Sequence, residues 1–251
     1  MSEVELHRAL ALGVIATALP TWFALRHVSA PYGRHARAGF GPTVPARLGW
    51  IVMESPACVA WLAVYALGSR ALGLVPLVLL AFWQLHYVHR AFVQPLTWPR
   101  DDKRTPALIV ALAMVFNVVN AYLNARQVSE LGRYAVNWLY EPRFIAGAVL
   151  FLGGLYVNVR ADRELCALKA GGAGYRVPRG RLFRLVSCPN YAGEIVEWLG
   201  WALMTSSLAG LAFALFTASN LVPRARSHHA FYRERFPDYP PERRALIPWV
   251  W

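Results

Sequence analysis

The chain has 251 residues, of which 57% are hydrophobic and only 16% are charged, a balance that excludes an ordinary soluble globular domain. Its formal charge is +12 at pH 7, but the basic residues lie in short stretches between apolar runs rather than on one continuous face, so we expect no nucleic-acid partner. The composition instead predicts an all-α integral membrane protein that contacts membrane lipid and its anionic headgroups.

Long uncharged runs recur along the chain. They cover residues 9–25, 71–85, 106–123, 144–159 and 198–222, and residues 48–67 form a similar run with one acid, Glu54. Each approaches or reaches the roughly 20 residues that a helix needs to cross ~30 Å of hydrocarbon. The first run follows Glu3 and Glu5 without a basic segment or a small-residue cleavage site, so we expect a retained helix rather than a removed signal peptide.

The run 198–222 could be one tilted span or two short spans that turn at residues 205–207. Two spans place the basic stretches around 26–47, 90–104 and 160–184, and the tail from Arg224, on one side of the membrane. One span would leave the basic tail opposite the others, against the positive-inside rule. We therefore predict seven transmembrane helices in a single domain over residues 1–251, with the N-terminus outside and the C-terminus cytoplasmic.

The cysteines and histidines show no pattern of a metal site. Cys58, Cys166 and Cys188 are odd in number and have no close pairing, which argues against a disulfide framework or a thiolate zinc site. His86 and His89 lack an acid in register. No GxGxxG follows a strand and no Walker loop occurs, so any nucleotide must bind without a Rossmann fold.

Polar residues within the apolar runs are candidates for function, because an ionisable group in a membrane is costly unless it is paired or faces a cavity. Glu54 is the only acid of its run, and Pro56 loosens the backbone beside it. The alternative is that Glu54 only pairs with an Arg or Tyr of another helix.

One helical stripe at the end of the third run carries Gln84, Tyr87, Arg90 and Gln94. We interpret Tyr87 as functional, whereas Arg90 alone fits function and a snorkelling helix end equally.

Amides and carboxylates also share helical faces further along the chain. Asn117, Asn120 and Asn124 lie on one face, where function and interhelical amide bonding are both open. The strongest group is Asn190, Glu194 and Glu197 at i, i+4 and i+7, with Trp198 beside them. Arginine-rich stretches at 175–181 and 224–232 suit a polyanion, because a guanidinium offers paired donors to phosphate, but topology alone could also place arginines there.

Several specific strings resemble the steroid 5α-reductase family. They are VSCPNYAGEIVEW at 186–198, FYRERFPDYPPERRALIPWVW at 231–251, VNVRADRELCALK at 157–169, YRVPRG at 175–180, HYVHRAFV at 86–93, ESP at 54–56 and PYGRH at 31–35. The resemblance covers nearly the whole chain. It implies a seven-helix bundle that reduces the 4,5 double bond of 3-oxo-Δ4 steroids with NADPH.

The resemblance also implies roles for particular residues. Glu54 and Tyr87 match the pair that hydrogen-bonds the 3-oxo group of the substrate, and Asn190 and Glu194 match the partners of the nicotinamide. The remaining cofactor contacts implied are Tyr32, Arg90, Asn158, Asp162, Lys169, Tyr175, Arg176, Trp198, Arg224, His228 and Tyr232. Two positions depart from the family pattern: Met53 stands where animal members usually have Gln, and Lys169 stands where Arg is expected.

Elementary chemistry agrees with this assignment. Adding hydride to the β-carbon of an enone pushes charge onto the carbonyl oxygen, so the enzyme needs donors aimed at that oxygen in a dry site. Tyr87 can supply one donor and a protonated Glu54 another. A Tyr and a protonated acid solve a related problem in ketosteroid isomerase, the known example of this device.

Other functions share parts of these patterns. A related membrane reductase of polyprenols, sterols or enoyl thioesters is the main alternative, and isoprenylcysteine methyltransferases have a similar C-terminal cofactor site. A transporter or receptor could also use seven helices and intramembrane acids. We expect a monomer acting on a steroid or other lipid enone, in the inner membrane of a bacterium or the endoplasmic reticulum of a eukaryote.

Overall fold

The computed structural model describes residues 1–99, 102–170 and 174–251, and within them the chain is mostly helical. The α-helices are α1 Glu3–His27, α2 Ala46–Ala66, α3 Leu74–Val88, α4 Gln94–Leu96, α5 Ala107–Arg126, α6 Pro142–Ala170, α7 Pro189–Thr205 and α8 Leu208–Arg235. Two short strands, β1 Thr43–Pro45 and β2 Arg104–Pro106, pair antiparallel with Val44 opposite Thr105. Because α2 and α5 start directly after these strands, the pairing brings the two helix starts together.

Five of the described segments are long and apolar enough to cross a membrane. They are Glu3–His27, Ala46–Ala66, Ala107–Leu131, Pro142–Ala170 and Leu208–Arg235. The prediction of an all-α membrane protein is confirmed at this level. The other two predicted spans correspond to α3 and α7, which have 15 and 17 residues. α3 continues without interruption through a π-helical turn, His89–Val93, into α4.

The predicted turn at residues 205–207 is present. α7 ends at Thr205, Ser206 adopts a left-handed φ of 43°, and α8 begins at Leu208. The buried hydroxyl of Tyr134 donates to the Thr205 carbonyl over 3.0 Å, and burial raises the pKa of Tyr134 to about 12, so this donor stays protonated. Both helices are longer than their part of the uncharged run: α7 begins before it, at Pro189, and α8 continues after it, to Arg235.

The chain divides into two compact units. The first comprises Met1–Gly13, Ala30–Ile145 and Thr205–Ala209. In it α2 packs along α5, and a Cβ placed on Gly49 of α2 would lie only 3.0 Å from the side chain of Val110 on α5. On α5, the exposed side carries Leu108, Leu112 and Val115, as expected for contact with lipid. The opposite side carries the three buried asparagines.

The second unit comprises Val14–Ser29, Ala146–Met204 and Gly210–Trp251. Its helices α6 and α7 pack backbone against backbone at two pairs of glycines. A Cβ on Gly154 would lie 2.5 Å from the carbonyl oxygen of Gly193, and one on Gly200 would lie 2.6 Å from that of Gly147. Any side chain would separate the helices, so these glycines set how closely α6 and α7 approach.

The end of the chain is attached to the segment that precedes α7. Val186 and Arg244 form a parallel bridge, in which the Ser187 amide donates to the Arg244 carbonyl over 2.8 Å. The Ser187 hydroxyl also lies 2.6 Å from Nδ1 of His229 on α8 and 2.7 Å from the Tyr239 hydroxyl. These bonds fix the start of α7 relative to α8 within the second unit.

Candidate active site

In the first unit, Glu54 lies on α2 between an amide and a guanidinium. Nδ2 of Asn117, from α5, donates to Oε2 of Glu54 over 3.3 Å, and Nε of Arg90 lies 3.9 Å from Oε1. Only 15% of each charged side chain is exposed, so both sit in a largely dry environment. The arrangement is looser than a fork-to-fork ion pair, because the Arg90 distance exceeds that of a direct hydrogen bond.

Pro56 frees one backbone carbonyl in this turn of α2, and side chains donate to that carbonyl and to the next one along the helix. Proline has no N–H, so the carbonyl of Val52 loses its usual helical donor, and the Ser55 hydroxyl donates to it over 3.1 Å. Asn117 donates to the next carbonyl, that of Met53, over 2.7 Å. Asn117 therefore holds both the loosened backbone and the carboxylate of Glu54.

Arg90 is held from several sides at the end of α3. Its guanidinium lies 4.6 Å from the ring centroid of Trp50, its Nη1 lies 3.4 Å from Oε1 of Gln94, and its carbonyl accepts the indole N–H of Trp50 over 3.0 Å. It belongs to the π-helical turn, a feature that often marks functional sites because it re-aims side chains. Two residues of the predicted stripe, Gln84 and Arg90, contact α2.

Tyr87 is 3% exposed and lies in an aromatic environment. Its ring centroid is 4.9 Å from that of Trp83, at an interplanar angle of 33°, and 4.9 Å from that of His86, at 75°. Trp83 in turn stacks on Trp61 of α2. We call Glu54, Arg90 and Asn117 the Glu54 cluster; Tyr87 lies three residues before Arg90 on the same continuous helical segment.

In the second unit, amides and carboxylates from α6 and α7 form a connected network. Nδ2 of Asn158 donates to the Asn190 carbonyl over 3.0 Å and to Oε2 of Glu194 over 3.2 Å. Nδ2 of Asn190 donates to Oδ1 of Asp162 over 2.8 Å. Asn158, Asn190 and Glu194 are all buried, and the contact of Gly154 with Gly193 brings their backbones close enough to pair. We call these four residues the Asn190 cluster.

Aromatic and basic residues surround this network within the second unit. Nε of Arg224 donates to the hydroxyl of Tyr191 over 2.9 Å, and the Tyr191 and His228 rings lie 5.4 Å apart. Tyr232 stacks on Tyr239 with centroids 5.4 Å apart and planes 5° from parallel. Trp198, 1% exposed, packs 4.4 Å from the ring of Phe213.

The structure therefore sorts the predicted residues into two groups. Glu54, Tyr87 and Arg90 belong to the first unit, together with Tyr32 before the short helix at 33–35. All other predicted cofactor residues belong to the second unit: Asn158, Asp162, Lys169, Tyr175, Arg176, Asn190, Glu194, Trp198, Arg224, His228 and Tyr232. Lys169 is near the end of α6, and Tyr175 packs against Phe231 with ring centroids 5.1 Å apart.

Sequence reasoning missed partners of the predicted residues. Trp50 holds Arg90, and Tyr191 holds Arg224, yet neither was a candidate. The position of Tyr191 beside Asn190 was the available signal. Asn117 was left open between two readings, and the structure gives it interhelical amide bonds whose acceptors include the Glu54 carboxylate itself. Among the residues that the structure describes, no group of three His, Cys, Asp or Glu side chains could hold a metal ion.

Comparison with known proteins gives a consistent result. The family model described as 3-oxo-5-alpha-steroid 4-dehydrogenase matches residues 103–251. The chain is 44% identical to "Steroid 5-alpha-reductase DET2" of Arabidopsis thaliana over 260 residues, covering 100% of this chain and 99% of that protein. It is 42% identical to the protein of the same name from Gossypium hirsutum, with the same coverage. It is 44% identical to "3-oxo-5-alpha-steroid 4-dehydrogenase 1" of Rattus norvegicus over 230 residues, covering 90% of this chain and 88% of that protein.

Proposed function

Because the chain belongs to the 3-oxo-5-alpha-steroid 4-dehydrogenase family, the steroid 5α-reductases, we propose that its two polar clusters divide the work of one reduction. The enzyme reduces the 4,5 double bond of 3-oxo-Δ4 steroids. The Glu54 cluster, together with Tyr87, binds the 3-oxo group of the steroid, and the Asn190 cluster with the surrounding basic residues binds NADPH. The observation that best supports this proposal is the Glu54 carboxyl, which is only 15% exposed and lies between Asn117 and Arg90.

The Glu54 cluster and Tyr87 have the chemistry to polarise a carbonyl. Hydride addition at C5 moves negative charge through the enone to the 3-oxo oxygen, where preorganised donors lower the barrier. The hydroxyl of Tyr87 and a protonated Glu54 each donate one hydrogen bond to that oxygen. Asn117 holds the other carboxyl oxygen of Glu54, so the acid keeps one orientation. Arg90, whose Nε lies 3.9 Å from Oε1 of Glu54, adds a positive charge near the proposed carbonyl site, and this charge stabilises the enolate.

The Asn190 cluster fits the amide end of a nicotinamide cofactor. A carboxamide presents one acceptor and two donors, and it is recognised best where amide N–H groups and carboxylate oxygens lie side by side. Asn158 and Asn190 carry such N–H groups, and Glu194 and Asp162 carry such oxygens. NADPH, when bound, would supply the hydride at C5, and the proton that completes the reduction at C4 would come from water or through a side-chain relay. The buried indole of Trp198 directly follows Glu197 on α7 and packs against Phe213.

Basic residues of the second unit fit the phosphates of the same cofactor. Arg224 is oriented by Tyr191, and Arg176 and Lys169 bring further cations from the loop 174–180 and the end of α6. We propose NADPH rather than NADH, because several cations can neutralise the additional 2′-phosphate. Tyr32 and Arg90 remain predicted cofactor contacts from the first unit.

We further propose seven membrane spans with the N-terminus outside and the C-terminus cytoplasmic. α3 with its π turn and α4 makes a helical segment from Leu74 to Leu96, which is long enough to span. The break at Ser206 supports the separation of the sixth and seventh spans. We also propose that the enzyme is a monomer with a single domain. Its membrane is the inner membrane if the source is a bacterium and the endoplasmic reticulum if it is a eukaryote.

Turnover of defined substrates tests the function. The purified protein in lipid nanodiscs is incubated with NADPH and a Δ4-3-oxosteroid, and the product is analysed by mass and by stereochemistry at C5. We expect a product with two added hydrogens and 5α configuration, with no product when NADPH is omitted. A polyprenol, a sterol and an enoyl thioester serve as competing substrates. Reduction of one of these without reduction of the steroid contradicts the proposal.

A further inference from the structure

Four aromatic rings form a continuous stack between α2 and α3, and Tyr87 is at one end of it. Tyr65 and Trp61 of α2 stack with centroids 5.0 Å apart and planes 14° from parallel. Trp61 stacks on Trp83 of α3 at 5.5 Å and 17°, and Trp83 packs on Tyr87 at 4.9 Å. All four side chains are buried. The orientation of the Tyr87 ring therefore depends on where Trp83 lies.

The two tryptophans of the stack differ in one respect. Nε1 of Trp83 donates to the carbonyl of Ala57 over 2.7 Å, a short bond between fully buried groups. Nε1 of Trp61 is equally buried and has no hydrogen-bond partner within the described part of the chain. Within the stack, a directional hydrogen bond therefore holds the indole of Trp83, whereas packing alone holds the indole of Trp61.

The anchor point is adjacent to the acid of the site. Ala57 follows Pro56 and is three residues from Glu54, in the turn of α2 whose backbone bonding the proline loosens. Trp83 is one helical turn before Tyr87 on α3. The bond between the Trp83 indole and the Ala57 carbonyl therefore links the turn that carries Glu54 to the turn that carries Tyr87.

We propose that Trp83 is a positioning residue for the reduction, which sets the Tyr87 hydroxyl in register with the Glu54 carboxyl through its hydrogen bond to Ala57 and its contact with the Tyr87 ring. This inference rests on the proposed role of Glu54 and Tyr87 as donors to the 3-oxo group. Ring stacking alone permits sliding along the ring planes, whereas a hydrogen bond to a backbone carbonyl fixes one position. Two donors that share one oxygen tolerate little displacement, because preorganisation is the source of their effect.

The matched substitutions are Trp83→Phe and Trp61→Phe. Both keep an aromatic ring in the stack, but only the first removes a hydrogen bond. For Trp83→Phe we expect kcat to fall about tenfold, the rate equivalent of one buried neutral hydrogen bond, with KM for the steroid and Kd for NADPH within about twofold of wild type. Trp61→Phe, which loses as much ring area, is expected to retain kcat within about twofold.

A second variant separates the hydrogen bond from the shape of the ring. Replacing Trp83 with β-(3-benzothienyl)alanine, in which sulfur takes the place of the indole N–H, keeps the size of the side chain and should reproduce the loss of kcat. This variant also decides the matter if Trp83→Phe does not fold. Melting temperatures in nanodiscs are measured for every variant, and kcat is compared at a temperature at which each variant is fully folded.

Combination with Tyr87→Phe distinguishes positioning from general packing. If Trp83 acts through the Tyr87 hydroxyl, Trp83→Phe should cause no further loss of kcat in the Tyr87→Phe background. An equal loss in both backgrounds, or a Trp83→Phe enzyme as active as Trp61→Phe, overturns the positioning role. Wild-type turnover by Tyr87→Phe alone overturns the proposed donor role instead, so the two failures are distinguishable.

Discussion

Replacing the proposed donors should slow reduction severely while leaving cofactor binding intact. We expect Glu54→Ala and Tyr87→Phe each to lower kcat by ~10²–10³, the usual cost of losing one preorganised donor to a developing oxyanion, whereas Glu54→Gln keeps an N–H donor and should lose less if Glu54 only donates a hydrogen bond. The structure makes Glu54→Gln a conservative change, because the Gln oxygen can still accept the bond from Asn117. What the variant loses is the acidity of the group, so a loss as severe as that of Glu54→Ala would mean that the proton or the acidity of Glu54 is needed.

The assay follows NADPH oxidation and steroid product together, with NADPH affinity measured by calorimetry in nanodiscs. Glu3→Gln is a matched control, since Glu3 also pairs with an arginine of the first unit, Arg126, over 2.6 Å, but 41% of its side chain is exposed. The control should retain wild-type turnover. Because Glu54 and Tyr87 act on one oxygen, the double variant should lose less than the product of the single losses. Wild-type turnover by both Glu54→Ala and Tyr87→Phe would refute the mechanism.

Three further predictions concern packing, cofactor choice and topology. Gly154→Ala should destabilise the protein by about 1–3 kcal/mol, because its Cβ would lie 2.5 Å from backbone atoms of α7, whereas Gly153→Ala has nothing within 4 Å and should melt as wild type. NADPH should bind more tightly than NADH in calorimetric titrations, and added salt should weaken NADPH binding more, because the discriminating contact is ionic. A reporter fused after Trp251 should show a cytoplasmic C-terminus.

Each of these three has a clear contrary result. Equal melting temperatures for the two alanine variants would mean that α6 and α7 do not approach as closely as the structure has them. Equal affinity for both nucleotides at low salt would remove the 2′-phosphate from the proposed contacts. A reporter signal from the periplasm or the lumen would exclude the seven-span orientation.

The sequence by itself determined the class of the protein and most helix positions. Uncharged runs of about 20 residues predict membrane helices, because a bilayer excludes unpaired backbone and leaves the helix as the local solution. The turn at residues 205–207, which separates α7 from α8, was also visible in the sequence as a short polar stretch within an apolar run. The strings around Asn190, Tyr87 and Glu54 carried the family resemblance, which the comparisons confirm.

Only the tertiary structure decided which side chains meet. Helical periodicity assigns a residue to a face, but it does not say which other helix that face contacts. The bond of Asn117 to Glu54, the anchor of Trp83 on Ala57 and the support of Arg224 by Tyr191 each join distant parts of the chain. The glycines of α6 and α7 illustrate the same limit: their spacing is visible in the sequence, but their effect exists only where two backbones touch.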